Sequence, residues 1–343
     1  MARFVIVRLL SSVVLFFAIT LFVFVAFFVL PASTGGPRRP GAIAGNVIFR
    51  DTYWSHGSFP HQYSQFVWNF VRHGDLGSSY VNREAVTDRL RRGVPVTLSL
   101  VLGGVIVWLL ISIPLGILSA LRPRSLLDRA STVFVTIGLS AHPVWLGLML
   151  GYFLGYHWHV VPVASYCEMV SPQTPCGGPV QWAWHLLLPW LIFGLVNAAL
   201  STSMVRASVL EVLSEDYVRT ARAKGASEAR VVRVHVLRNV LIPLVTLVGM
   251  NMAVALGGVI FIESVFSLPG LGGMFRTSLL QKDLPVTAGI VMVMTLAIMV
   301  INLIVDLLYG VLDPRVRAEP SVRVEAPAVA GEVSPALSLE LPA

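Results

Sequence analysis

Arg206, Arg219, Arg222, Lys224, Arg230, Arg233 and Arg238 crowd around Gly225, offset only by Glu211, Glu215, Asp216 and Glu228. Guanidinium and ammonium groups at that density do recognition chemistry: charge-assisted hydrogen bonds to acidic or polar groups on a partner. A second group is Cys167 and Cys176 with His157, His159 and His185 nearby. In an oxidising compartment the two thiols can pair as a local disulfide. A thiol–imidazole metal site is the sharper alternative, but the spacing fits no zinc pattern; two unpaired thiols beside interfacial histidines remain the bland one. No metal site is therefore expected. Catalytic residues are not expected either. No G-x-x-x-x-G-K-[ST] loop, H-E-x-x-H, G-x-S-x-G or paired C-x-x-C occurs, and Gly270–Gly273 has neither the spacing nor the preceding strand of a nucleotide fingerprint. A chain that moves something uphill with these residues takes its energy from elsewhere.

The elements that carry these residues are set by composition. Of 343 residues, 55% are hydrophobic and 13% charged, and the mean hydropathy is +0.76. These values are those of an integral membrane protein, all-α and polytopic. Six stretches lack Asp, Glu, Lys and Arg for about 20 residues or more, the length that crosses a bilayer; they lie near 9–30, 97–120, 131–156, 183–205, 241–262 and 285–305. Pro114, Pro143 and Pro189 fall inside spans and are expected to kink them without breaking them. The first apolar run exceeds the h-region of a cleaved signal peptide, so it is expected to stay as a helix.

Cation placement orients the spans. Arg3 and Arg8, then Arg122, Arg124 and Arg129, then the Gly225 block, then Arg315, Arg317 and Arg323 fall on one side, which is expected to be cytoplasmic together with both termini. The loop 157–182 has no Lys or Arg, and 264–284 has only Arg276 and Lys282. The stretch 32–96 is rich in arginine, but a loop of that length translocates largely regardless of charge. The net charge of +7 thus reads as topology and membrane-surface contact, with no nucleic-acid partner.

Inside the spans, Gly147, Gly151 and Gly155 recur every four residues and predict a helix-packing seam. Glu263 and Asp306 are expected near span ends, within reach of water, in structural roles. Around Gly225, Leu210, Leu213, Tyr217 and Ala221 form an apolar side of a first short helix. Gly225 then permits a reversal with positive φ, Ser227 and Glu228 open a second helix, and Val231 and Val234 continue the stripe. From patterning alone, this is either a docking surface or a basic loop resting on lipid headgroups. From Pro314 the chain reads as a solvated tail, 313–343.

The run 215–227, EDYVRTARAKGAS, followed by His235, Leu237, Arg238, Asn239 and Pro243, resembles the EAA loop of ATP-binding-cassette importer permeases, in its T-A-R-A-K-G form. Further stretches resemble the B-type permease of dipeptide and oligopeptide importers, a branch that includes nickel importers. They are 74–79 (GDLGSS), 113–116 (IPLG), 143–147 (PVWLG), 263–272 (ESVFSLPGLG), 302–309 (NLIVDLLY) and 312–315 (LDPR). The segment near 32–60 and the loop between Cys167 and Cys176 depart from the pattern.

The resemblance implies six transmembrane helices of the type I ABC importer fold with a cytoplasmic coupling helix pair. It divides the chain into 1–31 (tail and first helix), 32–94 (extracytoplasmic), 95–312 (permease core with the coupling loop 206–243) and the tail 313–343. It implies a C-type permease, two ATPase subunits that bind ATP and Mg, an extracytoplasmic substrate-binding protein, and no cofactor on this chain. It also implies that Glu215, Tyr217, Arg219, Ala221, Arg222, Lys224, Gly225, Val231 and Pro243 couple to an ATPase, with Tyr217, Ala221 and Val231 giving apolar contact and Arg219, Arg222 and Lys224 meeting acidic or polar groups. The implied location is the cytoplasmic membrane of a prokaryote. An ion-coupled transporter or channel would instead show paired intramembrane charges, inverted repeats with broken helices or a selectivity ring, and a membrane enzyme or scaffold would show a catalytic constellation or a folded soluble domain.

Overall fold

A computed structural model describes residues 2–29, 58–170 and 176–312. The solvated-tail reading of 313–343, the arginines at 38, 39 and 50, and most of the 32–60 departure lie outside the described residues. Among the described residues there are helices and no strand, with two isolated bridges, Ser78–Ala85 and Glu168–Gly177.

The first helix, α1 (Ala2–Phe24), ends in a wider π turn, Val25–Val29. α2 (Phe59–His73) lies against it: Phe24 meets Phe66 at 5.3 Å between ring centroids, and Tyr63 Oη donates to the Phe17 carbonyl at 2.9 Å. α3 (Val86–Leu121) and α6 (Pro179–Ser214) are 36 residues each, longer than a bilayer needs, and form the central pair. Small residues bring them together. A Cβ on Gly104 would sit 2.5 Å from the Phe193 ring, and one on Gly194 would sit 2.5 Å from Val107. Two indoles close the seam, Trp108 Nε1 donating to Ser201 Oγ at 2.8 Å and Trp190 Nε1 to the Ser99 carbonyl at 2.9 Å. The opposite face of α3 presents Leu98, Leu102, Ile106 and Leu110, each more than half exposed, a continuous apolar stripe that hydrocarbon solvates and water does not.

The predicted third span departs from expectation. It is two helices, α4 (Leu126–Ser140) and α5 (Pro143–Leu150, continued as a π segment Gly151–His157), bent by 109°. Pro143 therefore breaks this span where it was expected to kink it. The residue before a proline avoids the helical region, and proline favours the first turn of a new helix. His142 accordingly takes the extended conformation (φ −75°, ψ 138°) and caps α5 by accepting from Val144 N. Pro114 and Pro189 stay inside α3 and α6 as expected. Among the described residues, five helices are long and apolar enough to cross a membrane, and the bent pair, counted as one span, brings the number to six.

The remaining elements are α7 (Asp216–Ala223), α8 (Glu228–Val231), a π segment Val232–Val236, α9 (Leu237–Val265), α10 (Leu271–Gln281) and α11 (Leu284–Leu312). Gly147, Gly151 and Gly155 are buried. Gly147 faces Val265 of α9, Gly151 faces Val163 and Phe266, and Gly155 abuts Val163 in the chain's own return loop. The lower part of the glycine seam thus packs against a loop, not a helix.

Cys167 and Cys176 are joined as a disulfide, with Cα atoms 5.4 Å apart, and His185 Nδ1 lies 3.3 Å from Cys167 Sγ. Among the described residues no His, Cys, Asp and Glu group could hold a metal. With both cysteines consumed, an alkylating thiol reagent should leave the unfolded chain's mass unchanged until a reductant is added; prior alkylation at either position would contradict the pairing.

Candidate functional site

The Gly225 turn is built from its sequence in three steps. α6 stops at Ser214 because Glu215 turns extended (φ −69°, ψ 143°), and α7 restarts with Asp216 favourably placed at its positive end. α7 ends in a Schellman turn: Gly225 N donates to the Arg222 carbonyl at 2.9 Å and Ala226 N to the Ala221 carbonyl at 3.1 Å. Gly225 takes φ +81° there, and a Cβ at this position would meet nothing within 4 Å. The requirement for glycine is thus conformational, costing another residue roughly 1–2 kcal/mol. Third, Ser227 occupies the cap of α8 (φ −67°, ψ 149°), its carbonyl accepting from Arg230 N and Val231 N while its side chain makes no cap bond.

Two details differ from the sequence reading. Leu210 and Leu213 belong to α6, so the first short helix is anchored by Val218, fully buried. The second short helix is the opening turn of a longer one: from Glu228 the chain runs through the π segment into α9, since no proline interrupts it before Pro243.

Burial then divides the predicted coupling residues. Val231 is fully buried, packed with Val205, Val209, Val218, Val236 and Ile117 in one apolar cluster. It roots the turn in α3, α6 and α9 and offers no surface to a partner, which corrects its expected contact role. Tyr217, 43% exposed, Arg219, Lys224, Gly225 and Arg230 lie on the outer side, with Ala221 half-buried. Arg222 was expected to face a partner, but it holds Glu228 across the turn, Nε and Nη2 donating to Oε1 and Oε2 at 2.8 and 3.2 Å. This bidentate pair braces the two helices, while its exposure keeps its worth to about 1 kcal/mol or less. Glu228→Gln should therefore shift the thermal midpoint of the purified protein by less than about 3 °C; a larger fall would make the pair a principal support of the turn. Glu215 and Pro243 are exposed at the two edges of the site, and the side chains of His235, Arg238 and Asn239 lie outside the described residues.

At the other end of α3, about 40 Å away at 1.5 Å per residue, two buried carboxylates hold the loops. Glu263 is fully buried, not at the water boundary as expected. Its Oε1 accepts from Thr97 Oγ1 at 2.6 Å, and its Oε2 from Gly272 N and Gly273 N at 2.7 and 3.0 Å. Thr97 Oγ1 in turn accepts from Leu271 N at 2.8 Å. The start of α10 is thus capped by a side chain from α9. A Cβ on Gly272 would lie 2.6 Å from Ile260 Cα, and one on Gly270 would collide with the carboxylate. The Gly270–Gly273 cluster therefore serves close approach.

Asp283, also fully buried, accepts from Ser79 Oγ and Tyr80 N and faces Arg89 Nη1 at 3.6 Å. Burial and the Asp283 charge push the Tyr80 phenol up to about 12, so it stays protonated. Asp306 pairs with Arg8 at 3.3 Å, joining α1 to α11. Sequence reasoning missed Thr97, Arg89, Asp283 and Val218. An acid directly before the apolar run of α11 was the one available signal, for Asp283.

Residues 112–318 match the family described as the inner membrane component of binding-protein-dependent transport systems. The dipeptide transport system permease protein DppB of Escherichia coli (strain K12) is 33% identical, across 92% of this chain and 99% of that protein. The oligopeptide transport system permease protein AppB of Bacillus subtilis (strain 168) is 34% identical over the same shares. This chain belongs to that permease family. The di/tripeptide transport system permease protein DppB of Pseudomonas aeruginosa (strain UCBPP-PA14) is 36% identical across 75% of the chain and 80% of that protein. The permease is accordingly a multi-pass inner membrane protein and the membrane component of a transport system. The family match includes the Gly225 turn, Glu263 and Asp283, whereas Thr97 and Arg89 precede it.

Proposed function

We propose that this permease forms one half of a pathway that imports peptides, driven by ATP hydrolysed in separate subunits seated on the Gly225 turn. The observation that carries this reading is the turn itself. Its outer side is basic and exposed, while Val218 and Val231 root it in the bundle, so a force on the surface is delivered to α3, α6 and α9. A related C-type permease completes the pathway, two ATPase subunits bind ATP and Mg, and an extracytoplasmic binding protein delivers the solute. This chain binds no cofactor. ATP-driven closure of the ATPases moves the turn as a rigid body, and the helices then open the pathway alternately to each side. Peptide as the solute is supported by the names of the dipeptide, oligopeptide and di/tripeptide permeases above.

In this reading the Gly225 turn and both termini are cytoplasmic. With its own cysteines bridged, the Lys224→Cys variant carries the single free thiol. A membrane-impermeant maleimide should label it only in opened vesicles or cells; labelling from outside would reverse the topology. Uptake of a labelled dipeptide should require this chain together with its partners. Uptake of nickel alone would assign the same machine a different solute.

A further inference from the structure

The apolar cluster beneath the Gly225 turn draws on α3, α6, α7, α8 and α9, and takes nothing from α4. Near the turn, α4 is held by a polar contact. Arg206 on α6 donates through Nε and Nη2 to the two oxygens of Asp128 at 2.8 and 3.2 Å. Asp128 lies in the first turn of α4 and is 8% exposed. Its Oδ2 also accepts from Arg124 N at 2.9 Å while Ser125 Oγ accepts from Asp128 N, a reciprocal cap that fixes the carboxylate on the helix end. Arg206 sits eight residues before the last residue of α6, about 12 Å from the start of the turn. Apolar side chains can slide over one another at little cost, whereas a bidentate guanidinium–carboxylate pair fixes both distance and direction. α4 in turn leads to the 109° bend at Pro143 and so to α5.

We propose that the Asp128–Arg206 pair is the tie through which movement of the Gly225 turn reaches α4 and the bend beyond it. Both are positioning residues that need not touch the solute. The inference rests on the coupling role proposed above. It adds that the end of α4 nearest the turn is driven through one polar link, beside the apolar packing of Gly138 on Ala199 and of Gly147 on Val265 farther along the bent pair.

The test uses the full complex in proteoliposomes: this chain, its partner permease, the ATPase subunits and the binding protein loaded with a labelled dipeptide. Peptide imported and ATP hydrolysed are measured together. The variants are Asp128→Asn, which keeps the shape and the cap, and Asp128→Asn with Arg206→Met, which also removes the charge left unpaired. A purely structural pair predicts that the double variant recovers the parent ratio of import to hydrolysis. The tie predicts that the double variant assembles and hydrolyses ATP within about twofold of the parent while import per ATP falls about 10-fold. Recovery of the parent ratio, or loss of the assembled complex in both variants, would overturn the inference. Absence of dipeptide import by the parent complex would instead sink the proposed function.

Discussion

Gly225→Asp is expected to abolish peptide uptake while leaving the permease inserted and folded. The two halves of that outcome have separate causes. Inside the chain, nothing lies within 4 Å of the new Cβ, so the fold bears only the penalty of an L-residue at φ +81°, roughly 1–2 kcal/mol. Outside the chain, the carboxylate projects from the crown of the turn, where the proposed coupling role seats a partner and where Arg219, Lys224 and Arg230 set a positive field. Uptake should fall by about 100-fold or more, since a seat complementary to this positive surface is acidic or polar, and placing a like charge against it costs several kcal/mol. Gly225→Ala separates the causes: it shares the backbone penalty without the charge and should retain measurable uptake. Membrane abundance should be close to the parent's in both. Normal uptake by the Asp variant would remove the turn from the transport cycle.

Glu263→Ala should have the largest effect on the fold. It strips the acceptor from Thr97 Oγ1, Gly272 N and Gly273 N, all at a fully buried site. Buried donors left unsatisfied cost about 1–3 kcal/mol each. A fall of roughly 10 °C or more in the thermal midpoint of the detergent-purified protein follows, together with release of α10. Glu263→Gln keeps the shape and one acceptor oxygen, so it should fall between the parent and the Ala variant. An Ala variant as stable as the parent would show that the carboxylate does not hold α10. Because the Gly225 turn lies at the far end of α3, the Lys224→Cys thiol should be labelled at the same rate with and without Glu263→Gln.

Much of the fold could be read from charge and apolarity alone, because a bilayer demands about 20 uncharged residues per crossing and this chain supplies them. What apolarity does not show is the shape of the span at 131–156, because α4 and α5 are both apolar on either side of Pro143 and the 109° bend between them leaves no trace in hydropathy. Apolarity is blind to direction, and the extended backbone at His142 follows from the proline and its neighbour, not from hydropathy. At the candidate site, Gly225 and its flanking charges were legible because a positive-φ turn leaves a local signature. Which valine faces inward was not. Val218 and Val231 are buried together because α6 ends at Ser214 and α8 merges with α9, and both events depend on contacts distant in sequence. The same holds for Glu263 with Thr97 and for Asp283 with Arg89, pairs that no local pattern could join. Arg222 presents the reverse case, a cation that local reading assigned outward and that Glu228 retains.

The most direct measurement is photocrosslinking in the assembled transporter during active import, with benzoylphenylalanine replacing Lys224 at the exposed edge of the Gly225 turn. The expected product is an adduct with an ATPase subunit whose yield changes on adding ATP. An adduct with phospholipid alone, unchanged by ATP, would contradict the coupling role.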